Sequence, residues 1–256
     1  MKKQMKEFVF SRTHIDIWND NGRNREAWLE KTLAKIPAGK TLLDAGAGEL
    51  QYKKFCEHLD YTSQDFGGYD GQGNAEGFQT KTWDNTKLDI VSDIIDIPVE
   101  NASFDSILCV EVFEHIPQPA LAVKEFSRIL KPGGALIVTA PFCSLTHFAP
   151  FYFANGYSKY WYEKVLTENG FEIEEMDFNG NYFTYMAQEL RRLPFMVNNY
   201  HKKDVSFIKK IGRVISMFFL KLFIAPLFLL LYIFSKNDVS SNQILCFGIH
   251  VVAKKK

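Results

Sequence analysis

Short apolar runs of the kind that form buried strands alternate with segments of helical spacing along most of the chain. The apolar runs predict strands at 41–44, 61–64, 88–91, 104–110, 135–139, 171–176 and 243–253. The helical spacing predicts helices at 24–36, 50–59, 119–130 and 158–169. Because strands that alternate with helices form parallel sheets covered on both faces, we expect an α/β fold with a doubly wound, mostly parallel seven-stranded sheet.

A long insertion at 178–241, which we expect to be helical and apolar, separates the last two predicted strands. Within it, 214–234 contains one charged residue, Lys221, and one proline, Pro226. Crossing a bilayer needs about 20 apolar residues, so this segment is long enough to do so. A single crossing would, however, leave the last strand across the membrane from the sheet it should complete. We therefore expect attachment without crossing, as a re-entrant segment bent at Pro226 or as a helix lying in the interface.

An alternative for the same segment is a hydrophobic helix that is hidden in a dimer interface or against the domain. The sequence does not fix the oligomeric state. The predicted organisation is an N-terminal helical cap at 1–39, a sheet domain at 40–177 and 242–256, and a membrane-associating insertion at 178–241. Basic residues before the apolar segment favour the cytoplasmic, anionic leaflet: Lys202, Lys203, Lys209, Lys210 and Arg213.

Composition narrows the partners and the location. Lys+Arg and Asp+Glu both number 30, and the resulting net charge of zero argues against nucleic acid as a main partner. The four cysteines are far apart and form no C-x-x-C pair, and the histidine spacing predicts no metal site. The N-terminus is basic but lacks a continuous apolar run, so we expect no secretory signal. The expected location is cytoplasmic, peripheral or monotopic at the inner face of the membrane.

The first predicted strand ends in an acidic residue and a pair of glycines, in the stretch DAGAG at 44–48. Glycines at the carboxyl end of a strand let a ligand approach the backbone closely, since no Cβ stands in the way. Asp65 closes the second strand about 20 positions later, where an acid binds the ribose in dinucleotide sites. These residues predict that a ligand approaches the backbone at this edge of the sheet.

With the segments that follow it, this turn resembles the class I S-adenosylmethionine-dependent methyltransferases. The segments that match in order are SDIIDIP at 92–98, SFD at 103–105, VEVFEH at 110–115 and RILKPGG at 128–134. The resemblance implies that the cofactor is S-adenosylmethionine and that the chain transfers a methyl group.

The resemblance also implies a role for individual positions. Gly46 and Gly48 would pass beneath the amino-acid part of the cofactor, and Asp44 would organise this turn and neutralise the cofactor's ammonium group. Asp65 would accept hydrogen bonds from the two ribose hydroxyls. Three further positions would contact the cofactor, with Asp93 and Ile94 at the adenine and Glu111 beneath the methionine end.

Two histidines are the candidate catalytic residues, because a general base helps methyl transfer to a hydroxyl and imidazole titrates near neutral pH. His115 follows the fourth predicted strand and His147 the fifth, at the edge where the substrate should bind. The alternative for each is a loop histidine that only makes hydrogen bonds. Aromatic residues are dense at 142–162 and are expected to form an apolar lid for substrate, to pack the next helix onto the sheet, or both.

The expected function is methyl transfer to a small-molecule or lipid-linked acceptor, since a membrane-held enzyme suits a membrane-held substrate. Two other functions stay open. An NAD-dependent oxidoreductase would share the glycine turn, but Gln51 replaces the third glycine of its fingerprint. A non-catalytic nucleotide-binding module would share the fold, although the retained acidic residues argue against it.

Overall fold

The computed structural model describes residues 16–200 and 207–256, and the expected absence of a secretory signal concerns residues that lie mostly outside this part. The chain divides into two compact units. The sheet unit comprises Arg25–Asn179 and Phe247–Lys256, and the helical unit comprises the described residues up to Asn24 with Gly180–Cys246. The sequence prediction placed the corresponding boundaries after residues 39, 177 and 241.

The sheet unit contains the seven-stranded sheet that the sequence predicted. In chain order its strands are β1 Thr41–Ala45, β2 Asp60–Asp65, β3 Ile90–Val91, β4 Phe104–Val110, β5 Leu130–Pro141, β6 Phe171–Asn179 and β7 Gly248–Lys255. Their order across the sheet is β3-β2-β1-β4-β5-β7-β6. β1 to β5 pair in parallel, and β7 is antiparallel to β5 and β6. The chain reverses its direction across the sheet between β1 and β4, which is where such sheets form a ligand crevice.

The part of the chain that the structure describes contains five α-helices: α1 Asp20–Leu33, α2 Pro119–Ile129, α3 Lys159–Glu168, α4 Tyr182–Tyr200 and α5 Phe207–Lys236. The predictions for α2 and α3 are correct to within one residue at each end, whereas α1 begins and ends earlier than predicted. α1 buries Leu29 and Leu33 against Leu42 of β1 and Leu108 of β4. This packing explains why its apolar residues recur at helical spacing.

The prediction of a helix at 50–59 is wrong. The segment forms successive tight turns with one short 3₁₀ helix at Lys53–Phe55. Leu50 has a left-handed backbone with φ of +62°, which a right-handed helix cannot include. Its apolar side chains still reach the core of the sheet unit through these turns: Tyr52, Cys56 and Leu59.

The predicted turn at 131–134 lies within a strand. Phe104 of β4 pairs with Leu130, and Ser106 pairs with Ala135, so the four residues between them bulge out of the ladder. The turn residues therefore interrupt β5 without ending it.

Two other strands are shorter than predicted. β3 has two residues instead of the four expected at 88–91. β7 begins at Gly248 instead of residue 243, because 241–243 form a 3₁₀ helix that leads into it.

The helical unit is built around α4 and α5. The Asn181 side-chain amide donates to Ser235 O at 3.2 Å, and the rings of Trp18 and Phe228 lie 4.5 Å apart. α5 continues without a break through Pro226, so the predicted bend that would return the chain at this proline is wrong. Ile211–Lys236 is long and apolar enough to cross a membrane, and 6% of its most apolar stretch is buried.

Candidate functional site

The glycine turn after β1 is held by the neighbouring strand. The N–H groups of Gly46 and Ala47 donate to Gln64 O at 2.8 and 2.9 Å. Gly46 has φ of +78°, and a Cβ built on it would lie 2.5 Å from Val112 Cγ2. Only glycine therefore fits this position without displacing the residue that follows β4. The turn occupies the carboxyl edge at the point where the strand order reverses.

Asp65, at the end of β2, fixes the second half of the same turn. Its Oδ2 accepts from Gly48 N–H at 3.1 Å and its Oδ1 accepts from Gly67 N–H at 2.9 Å. Burial raises the pKa of Asp65, and the hydrogen bonds from backbone amides oppose that rise. A hydrogen bond therefore links Gly48 and Asp65, two residues that the sequence analysis assigned to different parts of the same ligand.

Asp44 is a buried acid within β1. It is 2% exposed, and the Tyr61 hydroxyl donates to its Oδ2 at 2.7 Å. Burial raises the pKa of Asp44 to about 7; the hydrogen bond from Tyr61 opposes the rise and the nearby Asp65 adds to it. The N–H groups of the glycine turn donate their hydrogen bonds to Gln64 and Asp65, whereas the Asp44 side chain accepts its hydrogen bond from Tyr61. A cationic ligand at this edge would favour the charged form of Asp44.

Glu111 follows β4 in a left-handed conformation, with φ of +55°. Its Oε2 pairs with Arg25 Nη1 at 2.9 Å, and its Oε1 accepts from Thr139 Oγ1 at 2.9 Å. Arg25 also donates through Nε to the Tyr52 hydroxyl at 3.2 Å. A strained backbone of this kind persists only where its surroundings hold it, and strain of this kind clusters at functional sites. Here the bonds from Arg25 and Thr139 fix the carboxylate of Glu111.

Asp93 and Ile94 follow β3 at the same edge. Asp93 is exposed, and its Oδ1 accepts from Ile95 N–H at 3.1 Å, which closes a local turn. Ile94 is buried. The side chain of Gln64 links this loop to β2, since its Nε2 donates to Ser92 O at 2.7 Å. The loops after β1 and β3 thus meet around Gln64, and the contact of Asp93 and Ile94 with a cofactor stays a prediction.

The two predicted histidines lie side by side, with ring centroids 4.7 Å apart. His115 Nδ1 bonds to Phe151 O at 2.6 Å, and His147 Nδ1 bonds to Leu145 O at 2.8 Å. The Nε2 atoms lie 3.7 and 3.8 Å from Glu114 Oε1. Burial lowers the pKa of His115 to about 4, so that its imidazole is neutral at pH 7. Because β4 and β5 are parallel neighbours, the loops that carry the two rings leave the same edge.

Residues 43–138 match the family model of a methyltransferase domain. This part of the chain is therefore similar to a methyltransferase domain, in agreement with the resemblance to the class I S-adenosylmethionine-dependent methyltransferases. The matched range contains the glycine turn, Asp65, Asp93 and Glu111, and it ends within β5.

Curated relatives of this methyltransferase domain include ubiquinone biosynthesis O-methyltransferases. The protein from Xanthomonas oryzae pv. oryzae is 38% identical over 50 residues, which are 19% of this chain and 21% of that protein. The protein from Paracidovorax citrulli is 52% identical over 33 residues, which are 13% of this chain and 14% of that protein. The chain thus matches less than a quarter of the length of these relatives.

Solved structures share the fold over most of the chain. A putative sarcosine dimethylglycine methyltransferase from Galdieria sulphuraria has a TM-score of 0.50 at 14% identity, covering 91% of this chain and 84% of that one. Phosphoethanolamine N-methyltransferase 2 from Haemonchus contortus, solved with phosphomonomethylethanolamine and S-adenosylhomocysteine, has a TM-score of 0.50 at 16% identity, covering 91% and 52%. At these identities the likeness concerns the fold.

Aromatic side chains of the methyltransferase domain surround the histidine pair. Phe148 stacks on His115 at 5.1 Å and on Tyr69 at 4.6 Å between ring centroids. Trp83 meets the edge of Phe148 at 5.3 Å, and its Cζ2 would lie 2.6 Å from a Cβ on Gly48. These aromatic side chains therefore extend from the histidine pair to the glycine turn.

The aromatic residues at 142–162 divide between the two roles that the sequence left open. Phe148 and Tyr152 contact the histidine pair. Tyr157 and Tyr162 are buried, and the Tyr157 hydroxyl donates to Phe113 O at 2.9 Å. The first pair lines the site, and the second belongs to the core.

Sequence reasoning missed four residues of this site. Arg25 and Trp83 come from segments without a motif, and Gln64 acts partly through its backbone carbonyl. Glu114 could have been considered because it precedes His115, but no local sequence signal shows that its side chain lies beside His147.

Proposed function

We propose that this methyltransferase uses S-adenosylmethionine to methylate a hydroxyl of a small-molecule or lipid-linked acceptor at the cytoplasmic face of the membrane. The observation that carries the proposal is the bond from Gly48 N–H to Asp65 Oδ2, which brings the glycine turn and the predicted ribose acceptor to one point on the carboxyl edge. A turn with two glycines beside a buried carboxylate fits a nucleoside that carries an amino acid.

The residues present fit the cofactor's charges. Asp44 is an acid whose burial disfavours ionisation, and a cationic sulfonium or ammonium group would offset that effect. Asp65 offers about four acceptor positions as a carboxylate, so it can accept from ribose hydroxyls in addition to backbone amides. Asp93 and Ile94 would bind the adenine, and Glu111 would lie beneath the methionine end.

When bound, the cofactor supplies an electrophilic methyl group. A lone pair of the acceptor oxygen forms the new O–C bond while the C–S bond breaks and its electron pair stays on sulfur. The hydroxyl proton must leave, and a neutral imidazole can accept it. His115 and His147 are the candidates for this base, with Phe148 and Tyr152 shielding the acceptor from water.

The exposed apolar surface of the helical unit supports the proposed location at the membrane. Within 211–236 of α5, twelve large apolar side chains are exposed, among them Val214, Phe218 and Phe223. β6 and β7 flank the helical unit in the chain and pair side by side in the sheet, so the chain returns to the side from which it left. An interfacial or monotopic arrangement of α5 satisfies both facts, because it buries the apolar surface in lipid without crossing. The acceptor would then be reached at the membrane surface.

Calorimetry with S-adenosylmethionine and NAD tests the cofactor. Wild type is expected to bind S-adenosylmethionine only, and Asp65→Ala to lose that binding. Asp60→Ala is the matched control, since Asp60 is exposed at the opposite end of the same strand. Binding of NAD, or unchanged affinity in Asp65→Ala, contradicts the proposal.

A methyl-label transfer screen then identifies the acceptor class. Labelled methyl is offered with membrane extract in one arm and with soluble metabolites in the other. We expect incorporation into the membrane arm for a lipid-linked acceptor and into the soluble arm for a small one. Cofactor binding without transfer in either arm would favour a non-catalytic module. If His115→Ala and His147→Ala both keep the wild-type kcat, neither histidine is the base.

A further inference from the structure

Three possible metal ligands converge beside the histidine pair. Glu114 Oε1 lies 3.7 Å from His115 Nε2 and 3.8 Å from His147 Nε2, and one ligand atom from each residue lies within 4.8 Å of the others. Bonds of 2.0–2.2 Å in a tetrahedral site place neighbouring ligand atoms roughly 3.4 Å apart. The two separations from Glu114 exceed that by a few tenths of an ångström, and the third lies within 4.8 Å, so side-chain rotation would have to bring the two imidazoles closer together.

Backbone carbonyls orient both imidazoles for this role. Phe151 O and Leu145 O can only accept, so Nδ1 of His115 and Nδ1 of His147 carry the protons. In the neutral ring the lone pair is then on Nε2, which is the atom nearest Glu114 Oε1. Metal-binding histidines are typically held in this way, with the other ring nitrogen donating to a carbonyl or a carboxylate.

Glu114 supplies the carboxylate of this group. Its side chain is 1% exposed, and among the described residues no group donates a hydrogen bond to its buried Oε2. A buried carboxylate that lacks a hydrogen-bond partner is costly unless a cation or a proton neutralises it.

We propose that Glu114, His115 and His147 bind a divalent transition-metal ion. Two imidazole nitrogens and one carboxylate match the ligand set of zinc, manganese or iron sites, and they do not match magnesium or calcium, which prefer oxygen ligands. Three protein ligands leave at least one coordination position open, as in sites that act on a substrate. Sequence spacing predicted no metal site, because His147 lies 32 positions from His115 and only the parallel pairing of β4 and β5 brings them together.

The consequence for catalysis rests on the proposed function. A metal ion at this position would bind the acceptor hydroxyl and lower its pKa, so that the proton leaves to water without an imidazole base. The two histidines would then be ligands instead of bases, and loss of either would weaken metal binding and transfer together.

The test is metal stoichiometry on the full-length protein. The protein is stripped with a chelator and dialysed against zinc or manganese, and bound metal is measured by mass spectrometry. Wild type should retain one equivalent. Glu114→Gln and His147→Ala should weaken binding by about 100-fold or more, since loss of even an outer partner costs 10- to 100-fold. His58→Ala is the control, because that ring bonds to Ile36 O away from the site.

The absorption spectrum of the cobalt-loaded protein tests whether a cysteine thiolate binds the metal. The cobalt spectrum should lack a thiolate charge-transfer band and should be unchanged in Cys143→Ser. Failure of the wild type to retain metal at micromolar concentration, or equal retention by Glu114→Gln and His147→Ala, overturns the proposal. Calorimetry with S-adenosylmethionine is independent of this outcome: cofactor binding without metal refutes the metal site alone, and metal binding without cofactor refutes the proposed function alone.

Discussion

Replacement of Asp44 with asparagine should stabilise the cofactor-free protein at neutral and alkaline pH. Asparagine keeps the shape of aspartate and can still accept the hydrogen bond from the Tyr61 hydroxyl, but it carries no charge. In the wild type, ionisation of a side chain that is 2% exposed opposes folding. The substitution removes that cost and leaves the packing of β1 unchanged.

The magnitude follows from the pKa. Burial raises the pKa of Asp44 from 3.8 to about 7, which corresponds to about 4 kcal/mol. Because the folded form holds its proton more tightly than the unfolded form, wild-type stability is intact below pH 3.8, falls as the pH rises and levels off above pH 7. Between pH 5 and pH 8 the advantage of Asp44→Asn should therefore grow by about 3 kcal/mol.

Urea unfolding of the full chain at pH 5, 6, 7 and 8 measures this difference. In a Trp18→Phe background the remaining tryptophans all lie in the sheet unit and report its unfolding. Asp60→Asn is the matched control, because Asp60 is exposed at the start of β2. Its stability relative to wild type should not change with pH.

The same substitution should weaken the binding of S-adenosylmethionine, since the charged form of Asp44 would offset the cofactor's positive charge. We expect a loss of about tenfold or more, the value of one hydrogen bond to a charged group. A stability difference that is flat from pH 5 to pH 8 refutes the reasoning about the buried acid. Unchanged affinity for the cofactor refutes the role of Asp44 in binding it.

Three further substitutions test other parts of the structure. Gly46→Ala should destabilise the protein by about 1–3 kcal/mol more than Gly39→Ala in urea unfolding, because both have left-handed backbones but only Gly46 faces Val112. Phe223→Asp should reduce co-flotation with anionic vesicles roughly tenfold, while Val239→Asp, at an exposed apolar position outside α5, should not. Trp83→Phe should remove the fluorescence change on cofactor binding but not the binding, since the Trp83 ring lies against Gly48.

Each comparison has a contradicting result. Equal losses in the two glycine variants would show that Val112 moves aside. Equal flotation of the Phe223 and Val239 variants would place the apolar face of α5 against protein instead of lipid. A cofactor-dependent signal that survives in Trp83→Phe would place the cofactor away from the glycine turn.

The local pattern of apolar and polar residues was enough to predict the sheet and several residues at its carboxyl edge. Buried strands are short apolar runs, and several of them end at or just before an acid or a glycine, where the chain turns. Asp65 and Glu111 were assigned to strand ends for this reason, and the structure places both at the carboxyl edge. The ends of α2 and α3 were predictable because proline and glycine mark them.

Local pattern failed where a distant residue decides the conformation. The segment at 50–59 has helical spacing, yet Leu50 adopts a left-handed backbone directly after the glycine turn. That turn is held by Gln64 and Asp65, and the turns that follow bury side chains against α1. Helical spacing records which residues are apolar, whereas these contacts determine how the chain turns.

The sequence by itself determined an α/β sheet, the glycine turn at its carboxyl edge, and an apolar segment long enough to cross a membrane. Tertiary structure alone decided which side chains share the site. It paired Arg25 with Glu111 and brought His147 beside Glu114 and His115. The physical reason is that strand pairing and the packing of α1 on the sheet set these neighbours across long stretches of chain, and periodicity within a segment carries no record of its partner.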